Sequence, residues 1–138
     1  MRDILFRGKR IDNGEWVEGY VFDDGFVDSK RMFVGGLVIM DYKGTADDRW
    51  DVGTAFYEVS PDTICQYTGL LDKNGNKIWE NDIVKESDIY LLGTVEYDAE
   101  HGMYVINDVN DGYQHFQEFW SCTEVIGNVF DNKELLEE

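Results

Sequence analysis

Cations and aromatic residues are interleaved near the start of the chain, and together these residue types can bind a partner. The cluster consists of Arg7, Lys9, Arg10, Trp16 and Tyr20. On a β-hairpin, rings beside cations can hold a nucleic-acid single strand by stacking. The alternative is structural: the two rings fill the core, while the cations face the acid-rich half of the same chain. We favour the structural interpretation over nucleic-acid binding, because a net charge of −17 repels nucleic acid at long range.

The residues that could carry catalysis or bind a metal lack the spacing that such sites need. His101 and His115 are the two histidines, and they form no His-x-x-x-His or His-x-Glu motif. Cys65 and Cys122 lie far apart in no metal-binding or redox spacing, so we expect two reduced, mostly buried thiols. The segment Asp72–Lys77 begins like an EF-hand loop, but the required glycine and glutamate are missing. It therefore predicts a hairpin turn.

Motifs that bind phosphate or activate a nucleophile do not occur in the sequence either. The glycines form neither Gly-x-Gly-x-x-Gly nor a phosphate-loop motif, and no Gly-x-Ser-x-Gly motif surrounds Ser121. Neighbouring carboxylates are expected by chance when 29 of 138 residues are acidic, so they do not indicate acid–base catalysis. The sequence predicts no catalytic, cofactor-binding or metal-binding residues and no cofactor, and we expect a protein that is not an enzyme.

Composition and charge narrow the class of protein. Hydrophobic residues make up 43% of the chain and aromatic residues 14%, which is enough to fill a core and excludes a largely disordered chain. The apolar run Ile4–Phe6 is too short for a signal-peptide core, and no apolar stretch approaches the roughly 18 residues of a membrane span. We expect a soluble cytoplasmic protein that binds neither membranes nor, as a rule, nucleic acid.

Short alternating runs broken by Asn, Asp and Gly predict a mainly β fold. Ile4–Arg10 and Trp16–Phe22 flank Asn13–Gly14 and predict an N-terminal β-hairpin. The spacing of the runs fits a small curled sheet or an SH3-like barrel. Further strands are predicted at Met32–Met40, Thr54–Val59, Asp82–Lys85, Tyr90–Tyr97, Met103–Asn107, Gln114–Trp120 and Glu124–Val129.

Glycine, proline and polar residues predict where these strands bend or end. Gly35–Gly36 lies in the middle of an apolar run and predicts a bend or a bulge. The polar segment Asp41–Asp51 predicts a loop. Ser60 followed by Pro61 predicts one helical turn, because these residues favour the N-cap and first position of a helix.

The last residues predict a short helix and a contact between subunits. Asn132–Glu138 would form the helix, with Asp131 as N-cap and with Leu135 and Leu136 as its apolar residues. We expect these leucines to join copies into a homo-oligomer, with the acidic end of one subunit facing the N-terminal cations of another, since charge pairs alone are too weak. The alternative is that both leucines cover the subunit's own barrel.

Three parts of the sequence resemble the YopX family of small phage and prophage proteins. They lie in the family's order along the chain, whereas residues 23–51 match no part of the family that we can place. The resemblance implies a mainly β fold, a phage or prophage origin and one YopX-like domain over residues 1–138, divided into an N-terminal hairpin and insert (about 1–58) and a small-barrel part (about 59–138). It implies no activity. The matching segments are Ile4–Arg10 with Gly14–Val17, then Gln66–Leu70, Asp72–Gly75 and Glu80–Val84, and finally Glu124–Asn128 with Asn132–Leu136.

Two hypotheses about function follow. The first is a non-catalytic phage or prophage accessory protein that binds a phage or host protein or takes part in assembly. The second is an acidic nucleic-acid mimic that occupies a host DNA-binding protein, because the last 53 residues carry a net charge of −12. Under the first hypothesis, the candidate interaction surface consists of Arg7, Lys9, Arg10, Trp16, Tyr20, Leu135 and Leu136.

Overall fold

The computed structural model describes residues 3–26, 30–41, 50–110, 112, 114–115 and 117–137, and it is mainly β, which confirms the predicted fold class. The longest helical element in these ranges is the 3₁₀ turn Gln117–Cys122, so the expectation of short helices holds there. The described strands form open antiparallel sheets with separate edges, so the SH3-like barrel is wrong. Contacts divide the chain into an N-terminal unit, Leu5–Ile64, and a C-terminal unit, Cys65–Glu138 with Met1–Ile4.

The N-terminal unit is a four-stranded antiparallel meander with the spatial order β4-β3-β2-β1. The predicted β1–β2 hairpin is confirmed. Gly14 has a φ of +73°, and Asn13 Oδ1 accepts a hydrogen bond from the N–H of Glu15 at 2.9 Å, which is the local turn that Asn favours. The four strands are β1 (Phe6–Lys9), β2 (Trp16–Asp23), β3 (Met32–Asp41) and β4 (Trp50–Val59).

The chain that follows β4 returns to β1. The N–H of Ser60 donates to the carbonyl of Lys9 at 2.9 Å, and the N–H of Lys9 donates to Thr63 Oγ1 at 2.9 Å. The predicted helical turn is a 3₁₀ turn, Pro61–Thr63, although the Ser60 side chain makes no capping hydrogen bond. These bonds fix the strand that carries the N-terminal cations.

Of the bend or bulge predicted at Gly35–Gly36, the bulge does not occur in strand β3. Its pairing with β4 keeps one register from Met32 opposite Val59 to Asp41 opposite Trp50. A Cβ atom on Gly35 would lie 1.9 Å from the carbonyl oxygen of Ala55, so glycine lets two twisted strands approach closely and does not break one of them.

The predicted boundaries around β4 also need correction. The strand begins at Trp50 and not at Thr54, and β3 extends to Asp41. Pairing across these ten positions extends both strands into the predicted loop Asp41–Asp51, and the rest of that loop, residues 42–49, lies outside the described residues.

The C-terminal unit contains a hairpin and a five-stranded sheet with the order β10-β9-β8-β7-β11. In the hairpin, β5 (Cys65–Leu71) and β6 (Lys77–Trp79) flank the predicted turn, where Gly75 has a φ of +82°. The strands of the sheet are β7 (Asp82–Glu86), β8 (Leu91–Asp98), β9 (Met103–Asp108), β10 (Gln114–His115) and β11 (Glu124–Asn128). The core residues, each at most 2% exposed, are Ile78, Val84, Leu91, Val95, Ile106 and Trp120.

Two predictions for the C-terminal unit are wrong in detail. Gln114–Trp120 is not one strand, because the 3₁₀ turn after β10 carries Trp120 into the core. The terminal helix is a 3₁₀ turn, Lys133–Leu136, with Asn132 as its N-cap. Asp131 does not cap it, since its carboxylate accepts a hydrogen bond from Asn128 Nδ2 at 3.3 Å.

Candidate interaction surface

The register of the N-terminal sheet places several aromatic side chains on one face. Residues directly opposite each other in antiparallel strands share a face. Tyr20 lies opposite Gly35, which lies opposite Phe56, and Phe22 lies opposite Phe33. Because side chains alternate along β2, Trp16 belongs to the same face. We call this surface the aromatic face, and it consists of Trp16, Tyr20, Phe22, Phe33 and Phe56.

Two predicted cations border the aromatic face beside Trp16. The pairing of β1 with β2 places Lys9 opposite Trp16 and Arg7 opposite Glu18. The Arg7 Cζ atom lies 4.5 Å from the centroid of the Trp16 ring, and Lys9 Nζ lies 5.7 Å from it. Such cation–π contacts are worth about 0.5–1 kcal/mol at exposed sites, so they hold both charges at the margin of the face.

Three rings of the aromatic face are open to solvent. Tyr20 is 60% exposed, Phe22 45% and Phe56 37%. The Phe22 and Phe56 rings meet edge to face, with centroids 4.8 Å apart, across a position where Gly35 has no side chain. The prediction that Tyr20 fills the core is therefore wrong, while Trp16 is half-buried.

The sequence identified Arg7, Lys9, Trp16 and Tyr20 but not Phe33 and Phe56. The latter two join the face through pairing between strands that are distant in sequence. The sequence pattern that could have identified them is the alternation of side chains within β3 and β4. This pattern assigns them to the face only once the register between the strands is known.

A third cation, not predicted from the sequence, lies at the other margin of the face. Arg31 Nε donates to Glu58 Oε1 at 2.7 Å, and its Cζ atom lies 5.2 Å from the Phe33 ring centroid. A depression of about 560 Å³ beside Tyr20 is lined mainly by residues that alternate onto the opposite face of the sheet, Val17, Ala55 and Tyr57 among them. The aromatic face thus offers rings and cations within one sheet.

Arg10 does not belong to the aromatic face, contrary to the prediction. Its guanidinium forms an ion pair with Asp12 at 2.6 Å and stacks on the Tyr57 ring, with Cζ 4.0 Å from the centroid. The hydrogen bond from Arg10 lowers the pKa of the Asp12 carboxyl. Arg10 follows the end of β1, on the opposite side from Lys9, and it interacts within its own unit.

The predicted leucines belong to a different surface, in the C-terminal unit. Leu135 and Leu136 are both half-buried in the last 3₁₀ turn. Leu135 lines a groove of about 540 Å³ together with Tyr90, Leu92 and Ile126. The alternative interpretation, in which the leucines cover their own subunit, therefore holds in part, since Leu135 lies against this sheet. The N-terminal cluster belongs to the N-terminal unit, and the two leucines belong to the C-terminal unit.

Apolar side chains continue from this groove onto the surface. Ile89 is 47% exposed, Tyr90 87% and Val109 42%. The N–H of Val109 donates to the carbonyl of Leu92 at 2.9 Å, which places Val109 beside the groove. We call this second surface the Tyr90 patch, and it consists of Ile89, Tyr90, Leu92, Val109, Ile126 and Leu135.

Among the described residues, those with potential for catalysis or metal binding belong to the C-terminal unit and are not part of the Tyr90 patch. Asp98, Glu100 and His101 lie together, with His101 Nδ1 2.6 Å from Asp98 Oδ2. This contact lowers the pKa of the Asp98 carboxyl. Cys65 is buried with its Sγ 3.5 Å from Asn81 Nδ2, and Cys122 is exposed, so the prediction of two buried thiols is wrong for Cys122. An exposed acidic group on so acidic a chain does not by itself define a site.

No helix among the described residues is both long enough and apolar enough to cross a membrane. No curated protein gives a significant match to the chain. The model of the family described as YopX protein matches residues 6–137, which is nearly the whole length. The chain therefore belongs to the YopX family.

Proposed function

We propose that this protein is a non-catalytic binding protein whose aromatic face contacts a protein partner, and that it serves as a phage or prophage accessory protein in the host cytoplasm. The observation that carries the proposal is the exposure of Tyr20, Phe22 and Phe56 on one sheet, where the Phe22 and Phe56 rings meet edge to face. Contiguous exposed rings cost solvation free energy, and such patches commonly mark interaction sites. Aromatic residues and arginine also dominate the binding energy of protein interfaces.

The cations indicate what the partner presents at its rim. Arg7 and Lys9 flank Trp16 on one side of the face, and Arg31 lies beside Phe33 on another. Glu18 lies opposite Arg7, and Glu58 accepts a hydrogen bond from Arg31, so a partner with both carboxylates and cations around an apolar centre would complement this arrangement. Nucleic acid fits less well, because the N-terminal unit has 12 acidic and 7 basic residues, a net charge of −5, within a chain of −17.

Charge segregation favours nucleic-acid mimicry as the second candidate function. The C-terminal unit has 17 acidic and 5 basic residues, so it carries −12 of the total −17. A dense negative surface could occupy the nucleic-acid site of a host DNA-binding protein. Such binding would use the C-terminal unit and would be sensitive to salt.

An affinity pull-down from host lysate tests the proposal when wild type is compared with a Tyr20→Ala/Phe56→Ala variant. We expect circular dichroism to show that the variant folds normally. We expect it to capture no more than about one tenth of the partner protein that wild type captures. The matched control is Phe26→Ala, since Phe26 is 75% exposed in the same unit but lies outside its strands. The control should capture as wild type does.

Salt separates the two candidate functions. Capture that depends on Tyr20 and Phe56 and persists at high salt supports the aromatic face as the binding site. Capture of a DNA-binding protein that is released by salt and is unchanged in the double variant supports mimicry and contradicts the first proposal.

A further inference from the structure

We propose that a cavity in the C-terminal unit is a binding site for a guanidinium group. The cavity has a volume of about 350 Å³, which is within the range of small-ligand sites. It is lined by residues of the β5–β6 hairpin and of the β8–β9 hairpin, and all of them belong to this unit. None of them is part of the aromatic face, so this proposal goes beyond the function proposed above.

Two tyrosines form a corner of this cavity on the core-facing side of the sheet. Tyr97 follows Val95 by two positions on β8, and it lies opposite Tyr104 of β9. Because side chains alternate along a strand, both rings share the face of Val95, which is fully buried. Their centroids lie 5.2 Å apart with the ring planes inclined at 63°, yet Tyr97 is 51% exposed. The core therefore ends at Tyr97, and this ring borders the cavity.

The carboxylate of Glu80 is held in another wall of the cavity. Glu80 directly follows β6, and its backbone N–H donates to the carbonyl of Gln66 at 3.0 Å. Its Oε1 atom accepts a hydrogen bond from the N–H of Gln66 at 2.7 Å. A carboxylate can accept about four hydrogen bonds, so this bond fixes its position and leaves capacity for a ligand.

Rings beside a carboxylate are a combination that suits guanidinium. This planar cation stacks on aromatic rings and donates parallel hydrogen bonds to a carboxylate. A primary ammonium group is strongly hydrated and has no plane to stack, so we expect it to bind more weakly. Among the described residues that line the cavity, Glu80 is acidic and none is basic.

The charge of the C-terminal unit favours the same class of ligand. This unit carries −12 of the total −17, so its field attracts cations and repels phosphates and carboxylates. Charge and lining together select a guanidinium ligand over an anion.

Calorimetric titration of the full chain with agmatine tests the inference. The matched neutral probe is N-carbamoylputrescine, in which an uncharged urea of the same shape replaces the guanidinium. In about 0.15 M NaCl, which screens unspecific attraction to the acidic surface, we expect agmatine to bind at least about tenfold more tightly than the urea compound.

A peptide probe distinguishes the two sources of a guanidinium group, a free compound and the arginine side chain of a protein partner. The peptide is acetyl-Gly-Arg-Gly-amide, and its control carries citrulline in place of arginine. If the arginine peptide binds as tightly as agmatine, the site takes an arginine side chain. If agmatine binds and the peptide does not, the site takes a free guanidinium compound.

Two substitutions place the binding in this cavity. Glu80→Gln removes the charge but keeps an oxygen that can accept the N–H of Gln66, so the affinity for agmatine should fall at least about tenfold. Its matched control is Glu96→Gln, at an exposed position on the opposite face of β8, which should bind as wild type does. Tyr97→Leu removes one ring and should weaken binding about two- to thirtyfold, whereas Tyr97→Phe keeps the ring and should retain binding.

Three outcomes overturn the inference. Agmatine could bind no more tightly than its urea counterpart, its affinity could be unchanged in Glu80→Gln, or it could fall equally in Glu96→Gln. The last result would show that the acidic surface attracts cations without a defined site. If Glu80→Gln does not fold, the comparison of agmatine with the urea compound and of Tyr97→Leu with Tyr97→Phe decides.

Discussion

The buried carboxylate of Asp72 joins two parts of the C-terminal unit. Its Oδ1 atom accepts hydrogen bonds from the N–H groups of Asn74 at 2.9 Å and Asn76 at 2.8 Å, and its Oδ2 atom accepts one from the N–H of Val125 at 3.0 Å. The first two bonds form the turn that the sequence predicts. The third connects this turn to β11 and involves a residue 53 positions away, which no local pattern reveals.

Replacing Asp72 should destabilise the protein strongly. In Asp72→Ala, three backbone donors lose their acceptor at a site that is 5% exposed, so we expect a loss of about 2–4 kcal/mol in the free energy of unfolding. Urea unfolding measures it. Asp72→Asn keeps one acceptor oxygen and should lose less, and Glu96→Ala, at an exposed position, should lose little. Equal stability of Asp72→Ala and Glu96→Ala would contradict this role.

The same carboxylate predicts a dependence of stability on pH. Burial opposes its ionisation, but the hydrogen bonds from Val125, Asn76 and Asn74 outweigh burial and lower the pKa of Asp72 below 3.8. A group with a lowered pKa stabilises the fold fully above its unfolded pKa, and this contribution disappears as the pH falls through the folded pKa. The difference in unfolding free energy between wild type and Asp72→Ala should therefore narrow below about pH 4. A constant difference down to acid pH would show that ionisation of Asp72 does not matter.

Among the elements, those that depend on local signals are predictable and those that depend on distant pairing are not. The β1–β2 hairpin follows from alternation and Asn13–Gly14, and both are local. Strands β5 and β6 are not predicted, because buried and exposed residues do not alternate regularly along them. The turn between them is recognisable in the sequence. Trp120 leaves its predicted strand because burial in the core outweighs the preference of its neighbours for extended structure.

The candidate site follows the same division. Alternation along β1 and β2 places Arg7, Lys9, Trp16 and Tyr20 on one face, which the sequence can predict. It cannot predict that Arg10, one position beyond the strand, turns to Asp12 and Tyr57. The patch around Tyr90 is also invisible in the sequence, since it depends on the conformation of one turn and on packing against Leu135 near the end of the chain.

Two neighbouring glycines in β3 give a matched test of the sheet that carries the aromatic face. A Cβ atom at Gly35 would lie 1.9 Å from the carbonyl oxygen of Ala55, whereas at Gly36 the nearest atom is Tyr20 Cδ2 at 3.8 Å. We expect Gly35→Ala to cost about 3 kcal/mol or more, because backbone must move, and Gly36→Ala to change stability by less than about 1 kcal/mol. Thermal unfolding of both variants measures the difference. If Gly35→Ala is as stable as Gly36→Ala, the strands do not approach as closely as described.

At the scale of the whole molecule, excess negative charge opposes the compact state. Even if all 12 basic residues paired with carboxylates, 17 of the 29 acidic residues would have no basic partner. Repulsion among like charges destabilises a folded chain, and more so in the C-terminal unit, which carries −12. The exposed apolar surfaces are thus set in a chain that resists indiscriminate association.

This repulsion predicts that salt stabilises the protein. Raising NaCl from about 0.01 M to about 0.15 M shortens the Debye length from about 30 Å to about 8 Å and screens the excess carboxylates. We expect an increase of about 1 kcal/mol in the free energy of unfolding, or roughly 3 °C in melting temperature. The melting curve is recorded at a concentration where light scattering gives a constant mass, so that screening is not confused with association. Glu134→Gln/Glu137→Gln removes two exposed carboxylates and should gain less from salt than wild type does. A melting temperature that falls with salt would mean that attraction within ion pairs such as Arg31–Glu58 outweighs the repulsion.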